Sequence, residues 1–325
     1  MPEIKKYKVT EPFLDLDCGL GEAPHWEPSR GSSLRFVDIV KLKLHTVNAG
    51  DASSHKQWSL PYSIGVTADI EGNDTEFVFG GKSGYGIMER ETGKVRIIKD
   101  MWTDEERKDD GGGKPKVGKN RQDRMRSNDG AVDAAGRYFV GTMNDQDLVG
   151  ENFTDEGVLF RLDPDLSLHR VKEGVTIPNG MSWTADNKTM YFTDSPSGKI
   201  MTYPYDLATG NIDFSAGKTF FTCPVEGGVP DGHIQDIEGH LWVACHGTSK
   251  VFRVNPSGQI VAEIELPTRC VTCPTFVGTE LYITSAEEQD PEKYPESKKY
   301  QGGLFRVDVG VKGRPLNKFK LTIKA

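Results

Sequence analysis

No stretch of the 325 residues approaches the ~18–20 consecutive apolar positions a membrane helix needs, and the opening MPEIKKYKVTEPF lacks the apolar core of a secretory signal. A soluble chain of cytoplasmic location with no membrane partner is expected. Basic charge is in deficit: 40 Lys and Arg against 48 Asp and Glu leave a net charge of −8. Such a balance supplies no concentrated positive surface for phosphates and argues against nucleic acid. Cysteine is sparse and odd in number, five in all, so reduced thiols are expected rather than a disulfide framework. The one close pair, Cys270 and Cys273, has no second pair to complete a zinc site, and residues three apart in a strand face opposite sides. A GxSxG elbow is also missing, which leaves a nucleophilic triad without support. Nothing in the composition identifies a protein partner.

What the sequence does contain is a repeat. Short aromatic or β-branched runs recur as LRFVDI, EFVFGG, RYFVGT, TMYFTDS, HLWVACH and ELYITSA, each followed by a second alternating segment that ends in Gly, Asp or Asn. This is hairpin chemistry. With Phe36, Phe77, Tyr138, Tyr191, Trp242 and Tyr282 as markers, the intervals are 41, 61, 53, 51 and 40 residues, about one four-stranded blade each. Six such units fill residues 1–325 as a single domain. Radial closure into an all-β, six-bladed β-propeller leaves few open sheet edges and is preferred to a sandwich, which requires no six in-phase copies. The longest interval contains residues 102–125, charged and Gly-rich, which read as an inserted mobile surface loop or, more sharply, a lid. A strand within residues 5–16 closing the last blade is a topological expectation.

Ahead of four markers stand polar clusters: GEAPHW, RSNDGAVD, PNGMSWT and PDGHIQD. Taken singly, Asn-Gly and Asp-Gly are ordinary turns. But Glu22, Asn128, Asn179 and Asp231 lie 14, 10, 12 and 11 residues before their markers, and one phase of a propeller repeat surrounds one axis. The other two blades offer SIGVTAD and CVTCPTF there, without charge expected near the axis. Glu22, Asn179 and Asp231 make a hard-oxygen set whose charge of −2 balances a divalent cation in the central channel. Calcium suits these ligands best, and zinc, manganese or magnesium could use them too. His233 and His246 read as members of hydrogen-bond networks, and Asp194 as a turn-stabilising carboxylate.

The strings RSNDGAVDAAGRYFVGTM, PNGMSWTADNKTMYFTDS and PDGHIQDIEGHLWVA resemble the senescence marker protein 30, gluconolactonase and luciferin-regenerating enzyme group of metal-dependent lactonases. The resemblance runs from GEAPHW to GGLFRV. It implies a divalent ion on Glu22, Asn179 and Asp231, with Asn128 beside it, substrate contacts from Arg126 and Asn128, and Asp231 as general base. Asp145 falls near an acidic substrate-contacting position of that family. The implied activity is hydrolysis of a sugar lactone to its acid. Hydrolysis of phosphotriesters or other esters on the same metal site, and a non-catalytic calcium-binding scaffold, are the alternatives. Arg126 could instead be a structural ion-pair partner of Asp129 and Asp133. Ala23 stands where the family usually has Gly, a change that alters the backbone beside Glu22.

Overall fold

The structure is a computed structural model that describes residues 4–109, 120–150 and 152–322. Six sheets succeed one another along the chain. Each marker run is the second strand of its sheet: Ser33–Asp38, Asn73–Gly81, Tyr138–Asn144, Thr189–Asp194, Leu241–His246 and Glu280–Ser285. The polar clusters fall on the strand before it. Those first strands are Gly21–Glu27, Ile64–Ile70, Met125–Val132, Pro178–Trp183, Val229–Gln235 and Val271–Val277. Each packs against the first strand of the next sheet, and Val271–Val277 returns to Gly21–Glu27. The result is a six-bladed β-propeller with these strands as its inner wall.

Burial follows from that placement. Every residue of Ile64–Ile70 is buried, because neighbouring blades cover both faces, whereas the outer strand Asp51–Ser59 has no buried residue. Three of the inner strands are locked outward by a buried carboxylate at or just after their ends. Asp133 accepts from Arg137 Nε (2.7 Å) and Tyr205 OH (2.5 Å). Asp236 accepts from Trp242 Nε1 (3.1 Å) and Arg253, and Asp69 pairs with Arg35 and Arg90. The repeated Asp of the sequence strings is thus a structural fastening, and Asp133 is committed to Arg137 rather than to Arg126.

Residues 5–16 divide between two blades, and only Phe13 and Leu14 make backbone bonds to the last one. Lys5–Lys8 is a strand, but it adds in parallel to Ile260–Glu265, on the outside of the fifth blade. The sixth blade keeps three described strands, and its next position is taken by an isolated bridge between Leu14 and Leu304. Within the insertion at 102–125, residues 110–119 lie outside the described residues. The flanking parts are anchored: Trp102 is buried edge-on against Phe160 at 5.7 Å, and Glu106 pairs with Arg121 (2.8 Å) and Arg170 (3.0 Å). These contacts tether the two flanks of the insertion to the third blade. All five cysteines are free thiols. Among the described residues no helix is long and apolar enough to cross a membrane.

Candidate functional site

All six inner strands carry a register break, and in four of them it falls in the polar cluster. The breaks fall between Glu22 and His25, Ile64 and Val66, Ser127 and Gly130, Asn179 and Met181, Pro230 and His233, and Val271 and Pro274. A bulge inserts extra residues against the partner strand and re-aims their side chains. Here it turns residues that strict alternation would send between blades toward the axis. At the first bulge Ala23 adopts φ +49°, a left-handed conformation glycine takes more easily, and its N–H bonds Glu22 Oε2 at 2.9 Å.

Four residues singled out by phase are stitched into one ring. Asn128 Nδ2 donates to Asn179 Oδ1 (3.1 Å) and to the Pro178 carbonyl (2.8 Å). Asn179 Nδ2 donates to Ser195 Oγ (2.9 Å), which in turn donates to the Pro230 carbonyl (2.7 Å) just before Asp231. These bonds leave the Asn179 oxygen facing Asn128 and bring the fourth blade against the fifth. Glu22 closes the circuit through electrostatics: burial pushes its carboxyl well above the ordinary range, and Asp231 and Asp129 push it further. Burial and Asp129 raise Asp231 in the same way.

Asp129 is the member that sequence reasoning missed. Asp129 is half-buried and lines the channel, and burial raises its carboxyl as well, offset in part by the Gly130 N–H at 2.6 Å. Cys273 was missed too: its thiol faces Glu22, Asp129 and Asp231, and burial drives it upward before they do. Both occupy the second extra position of a bulge, which alternation along the strand does not signal. Among the described residues none of Glu22, Asp129 and Asp231 forms an ion pair.

Arg126 lies beside this ring, not in an ion pair with Asp129. Its guanidinium donates to Asn128 Oδ1 (2.8 Å), the Ser127 carbonyl (2.9 Å) and Gln146 Oε1 (3.0 Å), and Nε is left without a partner. Its basicity is lowered by burial, opposed by Asp145, Glu22 and Asp231. A cavity of about 270 Å³ opens here, with Arg126, Asp145, Gln146, Ser63 and Lys82 in its wall. Asp145 bonds Lys82 Nζ at 2.6 Å and caps the short helix Gln146–Val149. It therefore shares this wall with Arg126, and Glu22, Asn179 and Asp231 are not among the residues of the wall. Ser63 Oγ is buried and unpartnered, a further polar group that the SIGVTAD string did not announce.

A second cavity, of about 130 Å³, is lined by Val66, Ala68, Met181 and Trp183, with Asp129, Cys273 and residues 314–317 also in its wall. His233 projects there and bonds Ser182 Oγ at 2.8 Å, while burial lowers its basicity to about 3. It is a neutral network member, as expected. Asp194 accepts from the backbone N–H groups of Thr176 and Ile177, the turn role read from the sequence.

Fold and site together define a six-bladed propeller whose channel holds a ring of acids and carboxamides at the inner-strand bulges. The chain belongs to the SMP-30/gluconolactonase/LRE-like family, whose model matches residues 20–287. It is 31% identical to regucalcin of Xenopus laevis over 299 residues, covering 90% of this chain and 92% of that one. It is likewise 31% identical to the pentonolactonase XacC of Haloferax volcanii over 309 residues, covering 93% and 95%. A solved calcium-binding regucalcin from Agrobacterium tumefaciens superposes with a TM-score of 0.82 at 23% identity, covering 98% of this chain and 99% of that one, a likeness of fold.

Proposed function

We propose that this protein is a divalent-cation-dependent hydrolase that opens sugar lactones to the corresponding acids. The observation that carries the cation is a charge count. Glu22, Asp129 and Asp231 contribute −3 when ionised, and Arg126, the guanidinium that faces them, contributes +1. The remainder is −2, enclosed and without an ion-pair partner, which one divalent cation neutralises. Carboxylate and carboxamide oxygens suit a hard ion, calcium before zinc, manganese or magnesium. Glu22, Asn179 and Asp231 would hold it, and Asn128, bonded to Asn179, would fix the carboxamide. Such an ion supplies Lewis-acid polarisation of an ester carbonyl at the ring.

The chain's own groups do the rest. Arg126, held by Asn128 and Gln146, lines the cavity with Ser63 and Lys82, a polar wall that suits the hydroxyls of a small cyclic sugar. The volume of this cavity fits one ring rather than a polymer. Asp231 would accept the proton of the attacking water. The ring oxygen released on opening takes a proton back, and the product leaves as a hydroxy-acid. Asp145, tied to Lys82, lies in the same wall and sets the orientation of substrate entering beside Arg126. The family relationship and the pentonolactonase relative support a lactone substrate. The test is base consumption at constant pH with five- and six-membered aldonolactones, each divalent ion being added back after chelation. Turnover restored by a cation and lost in folded Asp231→Asn is expected; no acid release from any lactone with cation bound refutes the proposal.

A further inference from the structure

We propose that Cys18, Asp38 and His45 form a second cation site, suited to a borderline-soft ion such as Zn²⁺, at the seam between the first and sixth blades. Ligand atoms of the three lie within 4.8 Å of one another, and Cys18 Sγ is 3.9 Å from His45 Nε2. A tetrahedral zinc with Zn–S of ~2.3 Å and Zn–N of ~2.0–2.1 Å places those two atoms about 3.5 Å apart, so a shift of a few tenths of an ångström brings this pair to ligand spacing. The side chains are buried, at 2%, 1% and 4% exposure. No substrate reaches the thiol, which removes a nucleophilic reading of the same Cys–His pair.

Each ligand is already oriented. His45 stacks flat on Phe36, with centroids 4.8 Å apart and planes 8° from parallel, and its Nδ1 lies 3.0 Å from His55 Nε2. With the proton of that bond on His45 Nδ1, the Nε2 lone pair faces Cys18, the arrangement by which an outer partner fixes the tautomer of a metal-ligating histidine. Burial lowers the basicity of His45 to about 4, so the ring is neutral near pH 7. Asp38 Oδ1 accepts from the N–H groups of Leu20 and Lys41, and Oδ2 accepts from Gly19 alone, leaving a lone pair for a ligand bond. A thiolate and a carboxylate together neutralise a divalent ion in this buried place. Burial and Asp38 keep the empty-site thiol protonated, so binding releases its proton to solvent. The fourth tetrahedral position goes to water.

Location gives the site its consequence. Cys18 lies on the segment that leaves the sixth blade, where its N–H bonds the Gly302 carbonyl, and leads into the inner strand of the first blade. Asp38 and His45 belong to the second and third strands of that blade. A shared ion ties the closing segment to the blade it joins, and it does so with a sulfur–nitrogen–oxygen set unlike the oxygen ring of the channel.

The experiment uses the full chain, reduced and treated with chelator, titrated with Co²⁺ as a spectroscopic stand-in for zinc. A thiolate-to-cobalt charge-transfer band that saturates at one equivalent is expected. It should vanish in Cys18→Ser and in His45→Gln, persist in Glu22→Gln, and be displaced by Zn²⁺. With the channel disabled by Glu22→Gln, Zn²⁺ should still raise the melting temperature by several degrees. Absence of the band in the wild-type protein, or its survival in folded Cys18→Ser, overturns the proposal. A protein that shows the band but opens no lactone refutes the hydrolase reading alone.

Discussion

Gly180→Ala alters no donor, acceptor or charge, yet it should impair the channel site. A Cβ at position 180 would lie 2.8 Å from the Asp231 carbonyl oxygen and 3.0 Å from the His233 nitrogen, with His233 Nδ1 closer still. Ordinary contact begins near 3.4 Å, so the inner strand of the fourth blade must retreat from the fifth by at least about 0.6 Å (3.4 minus 2.8). Two of the three obstacles are backbone atoms, which no rotamer change clears. Overpacking of this kind costs about 1–3 kcal/mol, roughly 2–10 °C in melting temperature at this chain length. Asn179 and Asp231 sit on either side of the widened gap, and misplacement of about 1 Å can cost ~10²-fold in rate. The expected result is at least a tenfold loss of lactone turnover per folded molecule, with weaker calcium binding by titration calorimetry. Wild-type turnover and wild-type calcium affinity in a folded Gly180→Ala protein would refute the argument that the spacing of these two blades sets the site.

Asp133→Ala strands Arg137 and Tyr205 in the interior and should destabilise the fold by about 3–5 kcal/mol. Turnover per folded molecule should be unchanged, and a loss of rate in the still-folded fraction would place Asp133 in the site. The pH dependence of calcium stabilisation has a definite sign. The carboxyls of Glu22, Asp129 and Asp231 are raised in the folded state, so without cation they disfavour folding as pH climbs from the unfolded range near ~4 through their folded values. Buried histidines such as His25 and His233 have lowered basicity and act oppositely below ~6.5 in both forms, so the calcium-bound minus calcium-free difference isolates the ring. The increase in melting temperature from saturating calcium should be larger at pH 8 than at pH 5, and the reverse order in differential scanning fluorimetry would contradict a carboxylate site.

The ring of blades was legible because each blade repeats a strand that needs cover on both faces, and because six copies at near-equal spacing leave little chain for anything else. Glu22, Asn128, Asn179 and Asp231 were legible through their common phase, and they do converge. Asp129 and Cys273 were not, because their direction depends on bulges whose extra residues no hydrophobic alternation reveals. The partners of Arg126 escaped notice for another reason: Gln146 comes from a helix of four residues after the second strand, and only the folded hairpin brings it back. Lys5–Lys8 misled for a third. The edge strand KKYK carries no mark of which blade it joins; it pairs with Ile260–Glu265, and the Tyr7 hydroxyl bonds the Val309 carbonyl at 2.9 Å.

The bulges also explain why the ring tolerates its own repulsion. Three acids facing one axis would separate if the strands carrying them could slide, yet each bulge is clamped by backbone contact with the next blade. Gly65 N–H donates to Ser127 Oγ (3.1 Å), Thr272 Oγ1 donates to the Gly21 carbonyl (2.5 Å), and a Cβ on Gly232 would run into Cys273. The strands are therefore held by contacts that do not involve the acids, and burial, with mutual repulsion added at Glu22 and Asp231, persists as raised proton affinity instead of relaxing as movement. Removing one charge without changing shape should then stabilise the cation-free protein. Asp129→Asn takes the ring from −3 to −2 before Arg126 is counted, and at pH 8 in chelator its melting temperature should exceed that of the wild type. The same substitution should weaken calcium binding, because the attraction for the cation and the strain among the acids have one source. A variant that gains stability in chelator and keeps full calcium affinity would separate the two and break that equivalence.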